Sequence, residues 1–311
     1  MNKKNIILIS ILLIFLLFTL ALAIVLLNLG FNKTFNYPKN IIQTDNIPVA
    51  SDNILIVLIS MDGLGWDLIG DDTPFLSTIL NEEGTTYTEN ALTLTQSETL
   101  PSHISMVTGL TLEHHNFHDN FITPLTPTME WGSIFDIALE NGYDYRVFVT
   151  KNKLSYLLGD KQDEKLKVIE EDSIEIIDEI DSFVEPNLTD MLVFIHFRDP
   201  DRIGHQFGWG STEQRRAIQE LDNNIRSMVN DLDNEFQSYN RYYIFTADHG
   251  GEGLSHSSGC PSCRSIPLII YTSEEDIYPL PSEEYNIYDV ACIITKLMGA
   301  DIPEVMDCKS E

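Results

Sequence analysis

Positive charge is what this chain has least of. Its 311 residues hold 19 Lys and Arg against 48 Asp and Glu, a formal net charge of -29 at pH 7. Duplex nucleic acid is held by clustered basic side chains on its phosphates, so the composition argues against that partner. A small phosphate ester survives the deficit, provided bound metal ions bring positive charge locally. Cysteine is also scarce, with a CxxC at Cys260 and Cys263, then Cys292 and Cys308 at irregular distances. Four cysteines allow three pairings, and disulfides suit them better than zinc, whose structural sites use paired CxxC sets. No internal repeat or low-complexity tract is evident. The 43% hydrophobic content sets general disorder aside and is enough for a sizeable core.

Long apolar runs are confined to the beginning. From Ile6 to Leu27 no charged residue interrupts the sequence, and about 20 helical residues cross a hydrocarbon core. Residues 1–30 therefore read as an N-terminal membrane anchor with a short cytoplasmic end. A cleaved signal peptide, using Ala21 and Ala23, would have a shorter apolar region of roughly 7–15 residues. Lys3 and Lys4 before the run place the N-terminus in the cytoplasm and the remainder outside. Residues 31–52, polar and carrying Pro38 and Pro48, read as a linker. Residues 53–311 form the extracytoplasmic domain.

Within that domain, "NILIVLISMDGLG" is a continuous Ile/Leu/Val run, as expected of a strand buried on both faces of a parallel sheet. Runs at 145–150, 191–197, 241–251 and 266–272 resemble it. Helical patterns at 132–141, 171–184, 212–236 and 286–298 alternate with them. The fold class is therefore α/β, a mostly parallel sheet flanked by helices. The acidic stretch 160–190 reads as a solvated helical excursion.

Ligands bind beyond the carboxyl ends of such strands, and the polar residues there follow one pattern. Asp62 follows the first run; Asp199, Asp201 and His205 follow "MLVFIHF"; Asp248 and His249 follow "YYIFT", with His256 shortly after. Each alone has a plain structural reading, such as a turn Asp before Gly63. Together, Asp oxygens and His nitrogens at one sheet edge make a donor set suited to zinc. A further stretch, "QSETLPSHISMVTG", sets Thr99 just before a helix whose first position suits Pro101. Free N–H groups and the helix dipole attract anions there.

The segments "LISMDGLG", "TLPSHISMVTGLTLEHHNFHDN", "DPDRIGHQFG" and "TADHGGEGLSH" resemble, in order, the motifs of the alkaline phosphatase superfamily. The nearest branch is the type I phosphodiesterase/nucleotide pyrophosphatase enzymes and sulfatase-like relatives. The resemblance spans about residues 54–272. It implies an alkaline phosphatase-like fold and two zinc ions. Asp62, Asp248 and His249 would hold one ion, with Thr99 as nucleophile and ligand. Asp201, His205 and His256 would hold the other. Ser102 stands where the phosphodiesterases have an Asn that binds a phosphoryl oxygen. Sulfatases convert a Cys or Ser to an aldehyde, which Thr99 cannot undergo. The resemblance thus implies hydrolysis of phosphate esters or nucleotides. The alternatives are a phosphomonoesterase, a phosphoethanolamine-type transferase, a sulfatase-like protein and a non-catalytic binding ectodomain. His103, His114, His115 and His118 are further cleft candidates, while Glu98 and Glu252 read as rim charges.

Overall fold

The computed structural model describes residues 41–42 and 53–308, apart from short stretches at 124–125, 127–128, 130, 160–163, 171–172, 185, 187–188, 257–259, 273–277 and 281–283. The proposed anchor and nearly all of the proposed linker lie outside the described residues. Among the described residues no helix is long and apolar enough to cross a membrane.

The Ile/Leu/Val run forms β2 (Ile54–Met61), every residue of it buried. The other strands of its sheet are β3 (Thr85–Leu92), β4 (Asp144–Val149), β5 (Leu166–Val168), β6 (Met191–Phe197), β7 (Asn240–Thr246), β8 (Ser265–Thr272) and β9 (Tyr285–Asn286). They lie in the order β5-β4-β6-β2-β7-β8-β3-β9, while β1 (Ile41–Ile42) pairs separately with β10 (Ile302–Pro303). β2 pairs in parallel with β6 and β7, and β4 with β5 and β6. The run at 266–272, expected as one more strand of the parallel set, is antiparallel to both β7 and β3. β3 was not expected at all: its sequence, TTYTENAL, is polar and only partly buried, so it lacks the apolar run that marks a central strand.

The main helices are α1 (Pro74–Ile79), α2 (Thr99–Thr108), α3 (Ile134–Glu140), α4 (Ser173–Phe183), α5 (Asp199–Phe207), α6 (Thr212–Glu235) and α7 (Asp289–Leu297). α2 begins at Thr99, two residues before Pro101. Pro101 is tolerated there because first-turn N–H groups have no helical acceptor, so a missing one costs little. The acidic excursion is not wholly solvated: α4 buries Ile176 and Ile180 against the core. An i, i+4 step separates those two isoleucines, so the acidic residues take the opposite face. The cysteines pair as Cys260–Cys263 and Cys292–Cys308, with Cα separations of 5.0 and 6.3 Å.

His115, one of the four cleft candidates, belongs to the interior instead. It is 1% exposed, its Nδ1 accepts the Phe117 N–H at 3.1 Å, and its Nε2–H faces Ser105 Oγ at 3.0 Å. Burial, helped by neighbouring His118 and His114, depresses its pKa to about 4 from 6.5. The native state therefore resists a proton that the unfolded chain accepts, and stability falls as pH drops from about 6.5 towards about 4. Chemical denaturation at pH 7 and pH 5 should show a loss of about 2 kcal/mol attributable to this side chain. His115→Gln, which can keep both hydrogen bonds, should flatten the profile by that amount, and an unchanged slope would refute the assignment.

Candidate active site

The three central parallel strands stop at one level. Register pairs Met61 with Phe197 and Ser60 with Thr246, so the residues just beyond emerge side by side. Asp62 N–H donates to Phe197 O, and Asp201 N–H donates to Asp62 O, both at 2.9 Å. This locks the start of α5 against the end of β2. Gly63 makes the approach possible: its φ is +81°, and a Cβ there would lie 2.7 Å from Asp201 Cα. "DPDRIGH" is helical despite Gly204, so Asp201 and His205 share one helical face.

Three histidines join the carboxylates in the same manner. His249 Nδ1–H donates to Gly250 O, His256 Nδ1–H to Ser97 O, and His205 Nδ1–H to Leu254 O. With Nδ1 donating, each ring in its neutral form presents the lone pair of Nε2, although the Asp201 carboxylate raises His205 towards its charged form. His249 Nε2 lies 3.4 Å from Asp62 Oδ1, 3.5 Å from Asp248 Oδ2 and 3.9 Å from Asp201 Oδ1. His205 Nε2 is 3.3 Å, and His256 Nε2 3.9 Å, from the same Asp201 oxygen. Acceptors thus face acceptors. Among the described residues, Asp62 Oδ1, Asp201 Oδ1, Asp248 Oδ2 and His249 Nε2 are buried without a hydrogen-bond partner. Orphaned buried acceptors of this kind are costly unless a cation lies among them. The donor set is the hard-oxygen and imidazole mixture that suits a divalent ion. Two groups fit one: Asp201 with His205 and His256, and Asp62 with Asp201 and His249. Asp201 belongs to both. Asp248 stands just outside the second group, its Oδ1 held by the N–H groups of Gly63 and His249.

The electrostatics reflect this crowding. Burial and then the Asp62 charge push the Asp248 carboxyl well above its ordinary range. Burial would raise Asp62 as well, but Lys151, His196 and His249 hold it well below that range. Burial lowers His249 and His256, consistent with neutral rings stacked at 3.9 Å between centroids.

Thr99 begins α2 at the edge of this cluster. His103, fully buried, donates from Nδ1 to Thr99 O at 2.7 Å and accepts from Ser60 Oγ at its Nε2. Ser102 is not brought into the cluster: it is buried, and its hydroxyl accepts from Thr93 Oγ1 at 3.0 Å. His114 pairs with Asp307 at the surface, and His118 meets Gln96 and Asn116 there. Glu98 lies at the site after all, as acceptor for the side-chain amide of Asn120.

Several site residues were not anticipated. Lys151 extends its ammonium to Asp62 Oδ2 at 2.6 Å, Asp201 Oδ2 at 2.7 Å and Thr99 Oγ1 at 3.4 Å. It follows β4 by two residues, so the rule that strand ends face the ligand would have found it had cations been sought beside acids and imidazoles. His196, hidden within an apolar run, donates from Nε2 to Asp62 Oδ2 at 2.9 Å while its Nδ1 meets Thr150 Oγ1. Lys153 donates to Asn120 Oδ1 at 2.7 Å, an oxygen that also accepts the Leu100 N–H at 3.0 Å. Trp209 braces the far side: its indole N–H donates to Gly63 O at 2.9 Å, and its ring meets His205 edge-on at 5.1 Å between centroids.

A sequence profile described as "Type I phosphodiesterase / nucleotide pyrophosphatase" matches residues 56–133 and 140–278. Ectonucleotide pyrophosphatase/phosphodiesterase family member 7 of Mus musculus is 22% identical over 222 residues, covering 63% of this chain and 49% of its own length. GPI ethanolamine phosphate transferase 1 of Candida glabrata is 26% identical over 132 residues, 35% of this chain and 14% of the transferase. The chain thus spans about half the length of the first relative and a small part of the second. The C-terminal periplasmic domain of EcEptC from Escherichia coli, solved in complex with Zn, shares the fold with a TM-score of 0.63 at 13% identity, covering 83% of this chain and 85% of that one. Inactive murine ENPP5 in complex with AMP gives a TM-score of 0.51 at 20% identity, covering 64% of this chain and 57% of its own.

The brace makes a stability prediction. A Cβ on Gly251 would come within 2.1 Å of the Trp209 ring. Gly251→Ala should therefore destabilise the fold by about 1–3 kcal/mol, read as a lowered denaturant midpoint. An unchanged midpoint would show that the indole does not hold the loop.

Proposed function

The chain belongs to the type I phosphodiesterase/nucleotide pyrophosphatase family, and on that premise we propose that it cleaves phosphate esters of the diester or nucleotide type, with Thr99 as nucleophile and two zinc ions as cofactors. What supports this most is the convergence of partnerless buried acceptors from Asp62, Asp201, Asp248 and His249 on the side of the cleft where Lys151 links them to Thr99. In this reading Asp62, Asp248, His249 and Thr99 hold one ion, and Asp201, His205 and His256 hold the other. Bound ions would lower the pKa of the threonine hydroxyl and offset charge on the phosphoryl oxygens.

The chain's own groups account for the remaining requirements. Thr99 Oγ1 gives up its proton to water and forms the bond to phosphorus as the ester P–O bond breaks, and the departing oxygen keeps the electron pair and takes a proton from water. Water then attacks the phosphothreonine, the P–Oγ1 bond breaks, and the hydroxyl is restored. Lys151, within reach of Oγ1, donates to a phosphoryl oxygen. His103 fixes the nucleophile's backbone through its hydrogen bond to Thr99 O. His196 orients Asp62 through its hydrogen bond, as second-layer partners of metal ligands do. A phospho-group transferase would share the first half of this scheme and replace water by an acceptor alcohol. Similarity to an ethanolamine phosphate transferase favours keeping that reading. The Ile6–Leu27 run, with likeness to periplasmic domains, supports an extracytoplasmic, single-pass membrane placement. Ser102, packed on Thr93, is assigned to shaping α2 beneath the substrate.

The test is a panel of aryl phosphate diesters, monoesters and sulfates. Diester cleavage should disappear with chelator and return with zinc. Thr99→Ala should lower kcat/KM by about 10³-fold or more, and Asp201→Asn should reduce bound metal more than His256→Ala, because it removes the one carboxylate among Asp201, His205 and His256. Chelator-insensitive turnover or full activity of Thr99→Ala would refute the mechanism.

A further inference from the structure

Lys153 has no carboxylate in contact with its ammonium among the described residues. The side chain is half-buried, and its one hydrogen bond among the described residues is to the neutral Asn120 amide at 2.7 Å. Lys151, two residues earlier, already spends its charge on Asp62 and Asp201. Glu98, the other partner of the Asn120 amide, accepts from its Nδ2 and is not paired with Lys153 among the described residues. Burial and then the Lys151 charge lower the Lys153 ammonium from its ordinary value, against the Asp62, Asp248 and Asp201 charges, which raise it. Enclosing an unpaired ammonium is costly, and the chain has only 19 Lys and Arg to place.

Its position says what the charge faces. Lys153 and the Leu100 N–H share one acceptor, Asn120 Oδ1, so the ammonium lies beside the residue that follows the nucleophile. The Glu98 contact fixes the amide, turning Oδ1 rather than Nδ2 to Lys153. An ammonium has three donors, which leaves two of them for a ligand.

We propose that Lys153, held by Asn120 and backed by Lys151, is an anion subsite beside Thr99 that reads a second negative group, phosphate or carboxylate, carried by the ester next to its scissile phosphoryl. This rests on the phosphoester-cleaving role of Thr99 and narrows it. Esters with a charged neighbour, such as those with a second phosphate, become the preferred class over esters whose other substituent is neutral.

The experiment compares three 4-nitrophenyl phosphate diesters whose second substituent is methyl, 2-carboxyethyl or 2-phosphoethyl. The full chain should prefer one or both charged substrates, chiefly through KM, and the pair tells carboxylate from phosphate. Lys153→Met and Lys153→Gln should each cut the charged-to-methyl ratio of kcat/KM by about 10- to 100-fold, with Lys153→Arg restoring part of it. A wild-type ratio near one, or a ratio unchanged in both variants, overturns the proposal. If no ester is cleaved, the phosphoester reading fails on its own. Calorimetry of zinc-loaded protein then decides the subsite: pyrophosphate should bind more tightly than phosphate, and Lys153→Met should abolish the difference. Equal binding of the two anions in wild type overturns the proposal.

Discussion

Three carboxylates that cannot all stay charged and unpartnered in a buried place set the terms for the rest of this structure. Asp62, Asp201 and Asp248 meet at the end of the sheet because β2, β6 and β7 run parallel and stop in register. The fold offsets their repulsion with whatever positive or donating groups it can reach. Lys151 bridges two of them, His196 donates to one, and backbone N–H groups hold one oxygen of the third. What is left over, among the described residues, is a set of oxygens and one imidazole nitrogen with nothing to accept from. Low dielectric makes that residue of charge expensive, and it is the physical reason to read the place as a site rather than as core.

The surrounding loops are shaped by the same need. Gly63 lets the backbone of α5 come within contact of β2, and Gly251 makes room for Trp209. Ser97 takes a positive φ of 49°, uncommon for a residue with a side chain, and its carbonyl receives the His256 proton. None of these positions has chemistry of its own. Each holds a segment of the acid and imidazole cluster against another.

The alternation of apolar runs and helical patterns was enough to foresee the parallel centre of the sheet, since strands buried on both faces have few other sequence forms. It was also enough to foresee which acids and imidazoles emerge at its end. The antiparallel side was less legible: β3 is polar, and nothing in "IPLIIYT" tells direction. His196 looked like part of a core strand because it is one, with only its ring turned to Asp62. Asn120 and Trp209 act through contacts across many residues of sequence, which local patterns do not encode. The hydrogen bond that Ser102 accepts from Thr93 joins positions nine residues apart, and no local pattern announces it.

The anchored Nδ1 atoms of the three histidines bear on how such a protein is made. Each ring is already fixed in orientation and tautomer by a backbone carbonyl, and the sheet beneath has an extensive apolar core of its own. Small zinc-dependent domains fold only when the ion arrives, because the ion supplies their missing stability. Here the orientation of the three rings is set by backbone carbonyls that belong to the fold itself, so it does not wait on an ion.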